Sequence, residues 1–160
     1  MMTISTPDLC DEFGDAVQVA DPVFKHYGAI RQFSGEVVTV KCFEDNSKIG
    51  EMLRAPGKGR ILVVDGGGSP RRSLLGDKLV TLALENDWSG IVIYGYIRDV
   101  EEIETMQIGV VALGTIPRKT EKRGVGQVNV TIDVAGLQVH SGQYIYADRS
   151  GVIVADKSLL

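Results

Sequence analysis

Four runs of apolar, largely β-branched residues punctuate the chain: Glu36 to Phe43, Arg60 to Val64, Gly90 to Gly95 and residues 108–113. Runs of this length without polar alternation read as strands buried in a sheet. Between the first two, Asp45-Asn46-Ser47 is a cluster of helix-capping residues. The spacing of Ile49, Met52 and Leu53 then predicts a helix over 47–54, ended by Pro56-Gly57-Lys58-Gly59. Between the second and third runs, Leu79, Leu82 and Ala83 mark one face of a helix over 77–87. Strand, loop, helix, strand, short helix is the order of a parallel unit. At the start, Thr6 reads as an N-cap, Pro7 as the first helical position and Asp8 as a first-turn acid, with the helix closing near Gly14. Residues 15–34 show no clear period, and Tyr27-Gly28 and Phe33-Ser34-Gly35 read as turns. Beyond the charged loop Pro117 to Gly124 the pattern changes. Val128 to Val134 and Leu137 to His140 alternate, and Gln143 to Ala147 and Val152 to Ala155 are short strands, with glycine turns at 136, 142 and 151. The expected fold is α/β, with a central parallel βαβ region and an all-β C-terminal section. No repeat, low-complexity tract or linker divides it, so residues 1–160 are expected to form a single domain.

Composition narrows the function classes. A 44% hydrophobic and 24% charged chain is that of a soluble globular protein, and a net charge of −4 argues against direct nucleic-acid binding, which needs a basic surface. No apolar run approaches a membrane span. The opening Met-Met-Thr-Ile-Ser-Thr-Pro lacks the basic-then-apolar pattern of a secretory leader. Cys10 and Cys42 stand alone, with no zinc-type Cys/His spacing, so reduced thiols and a cytoplasmic location are expected.

Candidate chemistry gathers in three places. Arg98-Asp99 follows directly on the buried run 90–95, where two charges must face water or a cleft; in α/β sheets ligands sit beyond the carboxyl ends of strands. Asp65-Gly66-Gly67-Gly68-Ser69 follows the second strand, and its glycines allow backbone N–H groups to approach a ligand. Gly76-Asp77-Lys78-Leu79 opens the helix over 77–87, where free N–H groups and the dipole favour an anion. Arginine grips carboxylates bidentately, and an adjacent aspartate suits a hard divalent ion that keeps most of its waters. Convergence of the three would suit a small, anionic, oxygen-rich substrate bound through a metal. Each place also has a plain structural reading. The glycine loop matches neither nucleotide-binding fingerprint and reads equally as a turn. Asp99 and Glu102 fit a capping box at the head of a short helix over 99–106, and Arg98 has acidic neighbours to pair with. The basic residues in 118–123 read as a solvated loop, His26 and His140 as structural or surface residues, and Trp88 as packing under the preceding helix.

On these residues the chain resembles the regulator of ribonuclease E activity A proteins and the related class II 4-hydroxy-4-methyl-2-oxoglutarate aldolases. The resemblance spans nearly the whole chain and is carried by Val40 to Asn46, Val63 to Ser69, Ile97-Arg98-Asp99 and Tyr146-Ala147-Asp148. It implies a swivelling α/β/β domain in a ring-shaped homotrimer with sites between subunits. It implies a divalent metal, Mg²⁺ or Mn²⁺, on Asp99, and Arg98 binding a small 2-oxo acid. It also implies a Gly-acid pair at Gly76-Asp77, a further acid at Glu102, and a substrate carboxylate held by the backbone of 76–79, that is Gly76, Asp77, Lys78 and Leu79. The implied activity is carbon–carbon lysis: cleavage of 4-hydroxy-4-methyl-2-oxoglutarate to pyruvate and decarboxylation of oxaloacetate, with Asp77 helping as the base. The alternative it implies is a non-enzymatic protein that binds and inhibits ribonuclease E. The best-known ribonuclease regulators lack the aspartate after the arginine, and the aldolases usually carry a longer C-terminal region that supplies another acid from a neighbouring subunit. This sequence thus puts the aldolase's metal residue on the regulator's shorter frame, which favours decarboxylation, since that step needs no base. Some related proteins have been labelled menaquinone methyltransferases, yet no adenosylmethionine loop with a downstream ribose-binding acid is present here.

Overall fold

The longest strand, β3 (Phe33–Lys41), joins two halves of one sheet in the computed structural model, which describes residues 3–160. Met1 and Met2, where the leader reading begins, lie outside the described residues. On one side β3 pairs in parallel with β4 (Ile61–Asp65), β4 with β5 (Gly90–Ile97), and β5 with β6 (Gly109–Thr115). On the other it runs antiparallel to β10 (Tyr144–Ala147), followed by β11 (Val152–Ala155) and β1 (Val17–Val19). The two-residue strand β2 (Lys25–His26) lies on the outer side of β6, and β7 (Gln127–Val128) pairs with the end of β3. A separate hairpin, β8 (Ile132–Val134) and β9 (Leu137–Val139), turns at Ala135-Gly136, both at positive φ as a primed two-residue turn requires.

Side chains alternate across the sheet, and both faces are covered, which explains the unbroken apolar runs. Val38, Val40, Leu62, Val64, Ile91 and Ile93 point to one face. There α2 (Ser47–Arg54), α3 (Asp77–Glu85) and α4 (Val100–Ile103) cover them with Ile49, Leu53, Val80, Ala83 and Ile103. Val37, Ile61, Val63, Val92 and Val111 point to the other face, against Ile132, Val134, Leu137 and Val139 of the hairpin and Ile145 and Val154 of the C-terminal strands. Full burial of each such side chain stabilises by about 1.5–3 kcal/mol. The layers are therefore helix, sheet, and a second β layer. No helix among the described residues is long and apolar enough to cross a membrane.

Four expectations need correction. Phe33-Ser34-Gly35 is not a turn but the start of β3. The Phe33 ring lies over the Cα atoms of Gly90 and Gly109, where an added Cβ would stand 2.5 and 2.2 Å from it, so these glycines serve close packing. The N-cap of α1 (Thr6–Phe13) is Ser5, whose Oγ accepts the Asp8 N–H at 3.2 Å; Thr6 instead gives its N–H and hydroxyl to Asp148, each at 2.7 Å. The stretch 128–134 is broken by Asn129 at φ 58° into β7 and β8. Gly95 does not end β5: the strand runs on to Ile97 through a shift of register between Ile93 and Tyr96.

Candidate active site

That irregularity at the end of β5 sets the geometry of the site. Past it, residues 96–98 run beside the segment leading into α3: the Leu74 N–H donates to the Tyr96 carbonyl at 2.9 Å, and the Arg98 N–H to the Leu75 carbonyl at 3.0 Å. Two stretches more than twenty residues apart in sequence are thereby laid side by side, and the residues that follow each, Gly76-Asp77 and Asp99, meet. Asp99 sits at φ 60°, ψ 36°, a left-handed conformation uncommon outside glycine, asparagine and aspartate. It turns the carboxylate away from its own helix. Asp99 Oδ2 accepts the Asp77 N–H at 3.1 Å, at the first turn of α3, and makes no side-chain bond to α4. The capping-box reading of Asp99 and Glu102 therefore fails, and Glu102 is exposed and lies outside the cleft lining. The shared space exists because residue 76 is glycine: a Cβ there would stand 2.6 Å from Asp99 Oδ2.

The cleft so formed encloses about 760 Å³ and is lined by Gly76, Asp77, Lys78, Leu79, Arg98 and Asp99, with Asn46, Arg54, Ser73, Leu75, Leu82, Lys119, Thr120 and Lys122 around them. Gly76, Asp77, Lys78, Leu79, Arg98 and Asp99, read from the sequence as substrate or metal residues, all line it. The N–H groups of Lys78 and Leu79 have no acceptor among the described residues, as expected of a helix start, and are free for an anion. Arg98 is steadied by one bond from Nη1 to the Pro117 carbonyl at 3.2 Å. Five cationic side chains (Arg54, Lys78, Arg98, Lys119 and Lys122) face two carboxylates (Asp77 and Asp99), so the cleft is cationic in a chain of net charge −4.

The glycine loop is not part of this cleft. The N–H groups of Gly66 and Gly68 both donate to the Tyr94 carbonyl, at 3.0 and 3.2 Å, and that of Gly67 donates to Asp65 Oδ1 at 2.9 Å. Its donors are spent internally, and the expected convergence of three features reduces to two. His26 and His140 also lie outside the cleft lining; His26 Nε2 is 2.7 Å from the Asp148 carbonyl, and His140 is exposed. Trp88 is buried and donates from Nε1 to the Ala55 carbonyl at 3.0 Å. Cys42 is buried, which pushes its thiol up to about 12, so it is no nucleophile.

Lys119 and Lys122, read from sequence as part of a solvated loop, are the functional candidates the sequence did not reveal. Arg54, Asn46 and Thr120 join them. Nothing local marks these residues; their place in the cleft depends on contacts far along the chain.

The donor set bears on metal binding. Asp99 Oδ1 has no hydrogen-bond partner among the described residues, whereas no group of three or more His, Cys, Asp and Glu there is placed to hold an ion. One free carboxylate oxygen fits a hard divalent ion that retains most of its water, as Mg²⁺ does, and does not fit an all-protein cage.

Comparison with known proteins agrees with this frame. The model of the RraA-like family (Aldolase/RraA) matches residues 6–154. The chain belongs to the RraA-like family. A member from Pseudomonas fluorescens, provisionally named a 4-hydroxy-4-methyl-2-oxoglutarate aldolase, is 53% identical over 154 residues, covering 96% of this chain and 94% of the relative. One of the same provisional name from Azotobacter vinelandii is 50% identical over 158 residues, covering 99% and 98%. Among solved structures, the RNA-processing inhibitor RraA from Thermus thermophilus superposes with a TM-score of 0.95 at 38% identity, covering 99% of this chain and 96% of that one. A Geobacillus kaustophilus protein described as an S-adenosylmethionine:2-dimethylmenaquinone methyltransferase superposes with a TM-score of 0.96 at 47% identity, covering 98% and 97%. The RraA-like family thus includes members named for an aldolase and for an inhibitor of RNA processing.

Proposed function

We propose that this chain is a divalent-metal-dependent carbon–carbon lyase that decarboxylates oxaloacetate and cleaves 4-hydroxy-4-methyl-2-oxoglutarate to pyruvate. The observation that carries the reading is the meeting of Arg98, the open Asp99 oxygen and the free N–H groups of Lys78 and Leu79 in one cationic cleft. The relatives named as aldolases support it.

In this reading Asp99 holds Mg²⁺ or Mn²⁺, which when bound supplies Lewis-acid polarisation of the 2-oxo acid. The N–H groups of Lys78 and Leu79 hold the substrate's 1-carboxylate at the head of α3. Arg98 faces the 2-oxo oxygen, where negative charge grows as the bond between C3 and C4 breaks and its electron pair moves into the enolate of pyruvate. From oxaloacetate, C4 leaves as carbon dioxide and the enolate takes a proton from solvent. From the hydroxylated substrate, the 4-hydroxyl must lose its proton as C4 becomes the keto carbon of a second pyruvate. Asp77, on the cleft wall, accepts that proton through water. The active form is a homotrimer. The methyltransferase reading finds no support at loop 65–68, where the backbone donors are already engaged.

Pyruvate release from oxaloacetate tests the proposal, measured with Mg²⁺, with EDTA and against a metal-only control, since free divalent ions also decarboxylate oxaloacetate. The expected result is enzyme-dependent release above the control that EDTA abolishes.

A second reading rests on the similarity to the Thermus inhibitor: a protein that binds a ribonuclease E-type enzyme, a contact its net charge of −4 suits. Such binding should weaken as salt rises and should survive Asp99→Asn, because it does not use the metal residue. A pull-down that recovers no ribonuclease E would remove it.

A further inference from the structure

The cleft owes its cationic character in part to one exposed loop that has strong reasons to move away. Residues 118–123 read Arg-Lys-Thr-Glu-Lys-Arg, and Lys119, Thr120 and Lys122 line the cleft together with Arg54, Lys78 and Arg98. Like charges repel, and an unanchored loop would relieve that repulsion by swinging into solvent. Lys119 and Lys122 form no ion pair among the described residues, although Glu121 between them pairs with Arg72 and Arg123.

We infer that Asp45, through Asn46 and Ser47 beside it, is the positioning residue that holds this loop and keeps Lys119 and Lys122 on the cleft. Asp45 is only 3% exposed and lies outside the cleft lining. Its Oδ2 accepts the N–H groups of Arg123 at 2.8 Å and Val125 at 3.1 Å. Its Oδ1 accepts the Ser47 N–H at 2.9 Å and the Ser47 hydroxyl at 2.6 Å, and Ser47 Oγ in turn accepts the Gly124 N–H at 3.2 Å. Three consecutive backbone donors, 123 to 125, are thus bound by one carboxylate and the hydroxyl it orients, with Gly124 at φ 72° making the concave arrangement. Upstream, the Thr120 hydroxyl donates to Asn46 Oδ1 at 2.8 Å, and the Ser73 N–H donates to the Arg118 carbonyl at 2.6 Å. Lys119 and Lys122 are therefore bracketed by fixed points at 118, 120, 123, 124 and 125.

A buried carboxylate needs this many donors to stay charged. Burial is the largest single influence on Asp45 and raises its pKa, yet the bonds from Ser47, Arg123 and Val125 together outweigh it and bring the group down to about 2. The anchor is charged throughout the neutral range. For the nature of the anion in the cleft, the inference rests on the lyase reading above.

The test is calorimetric binding of oxalate, a planar dicarboxylate resembling the pyruvate enolate, in Mg²⁺ buffer at several salt concentrations. Asp45→Asn should weaken oxalate roughly tenfold, equivalent to about 1.4 kcal/mol, and flatten the salt dependence. The double variant Lys119→Ala/Lys122→Ala should do the same, and Asp45→Asn added to it should cost nothing more, because the lysines it positions are already gone. A merely structural role for Asp45 would lower thermal stability while leaving the salt slope as in the wild type, or would weaken oxalate on top of the lysine variant; either overturns the inference. If Asp45→Asn does not fold, Ser47→Ala and Thr120→Val loosen the same anchors and should flatten the salt slope in the same direction. Wild-type affinity and slope in both would overturn it. Should the oxalate results hold while the wild type releases no pyruvate from oxaloacetate, the lyase reading falls and this inference stands. Pyruvate release combined with wild-type oxalate binding by Asp45→Asn gives the reverse. Absence of oxalate binding by the wild type overturns both.

Discussion

Asp99, at the end of one strand, reaches across to the first turn of another element and accepts the Asp77 N–H at 3.1 Å through Oδ2. The bond fixes one carboxylate oxygen against the helix dipole and leaves the other toward the cleft. It also ties the two motifs, Gly76-Asp77 and Arg98-Asp99, into one unit whose spacing the backbone bonds at 74–75 and 96–98 dictate.

Gly76→Ala probes that unit without replacing a charged residue. The backbone at 76, φ −137° and ψ −175°, accepts any residue, so the fold should tolerate alanine. The new Cβ would fall 2.6 Å from Asp99 Oδ2 and displace the carboxylate. Lyase activity should drop on the order of 10²-fold, the usual consequence of an ångström-scale misplacement, with a stability change of about 1 kcal/mol or less. Steady-state kinetics beside a thermal melt check both halves.

Arg98→Lys keeps a positive charge and removes the planar fork. The bond from Nη1 to the Pro117 carbonyl shows that the guanidinium is directed, not merely nearby. A loss in kcat/KM of roughly 10²-fold is expected, comparable with removal of one transition-state donor. Stability should change by less than ~1 kcal/mol, because the side chain faces the cleft. Full activity in this variant would assign Arg98 to long-range charge alone.

Acid stability should reflect Asp45 and Asp148. Burial raises the pKa of each, but their hydrogen bonds prevail and both end below the ordinary aspartate value: Asp45 at about 2, and Asp148 through Thr6, Ser150 and Gly151. A group whose folded pKa is depressed contributes stability that is complete above the unfolded value near 3.8 and is lost as pH falls toward the folded one. Melting temperature should therefore fall most steeply between pH ~4 and ~2. Asp45→Asn should be less stable at neutral pH and show a shallower acid limb. Parallel curves for variant and wild type would contradict the assignment.

Assembly is expected to be trimeric. Light scattering at micromolar concentration should give three times the 17.3 kDa chain mass. A monomer would argue against shared sites between subunits.

Much of this was legible in the chain before the structure. The strands β3 to β6 declare themselves because burial on both faces leaves no polar alternation, and α2 and α3 because their apolar residues recur at helical spacing. Arg98-Asp99 reads as a site because two charges follow a buried strand. What was illegible depends on long-range pairing. Lys119 and Lys122 line the cleft on a loop whose Arg123 and Val125 N–H groups are bonded by Asp45, some eighty positions earlier. The glycine loop looked open to ligands, yet the Tyr94 carbonyl consumes two of its donors. Phe33-Ser34-Gly35 has turn composition, but Gly35 lies close against the Gly59 carbonyl, 2.7 Å from where a Cβ would stand, so the glycine serves packing inside a strand.

Asp99 is proposed to hold the divalent ion on which lysis depends, and Mg²⁺-dependent pyruvate release from oxaloacetate by Asp99→Asn is the decisive measurement. Asparagine keeps the size, keeps an oxygen to accept the Asp77 N–H and tolerates the left-handed backbone. Only the charge is lost. The variant should keep a fold stable to within ~1 kcal/mol of wild type, bind Mg²⁺ far more weakly, and lose activity on the order of 10²-fold or more. Wild-type pyruvate release by Asp99→Asn would contradict it.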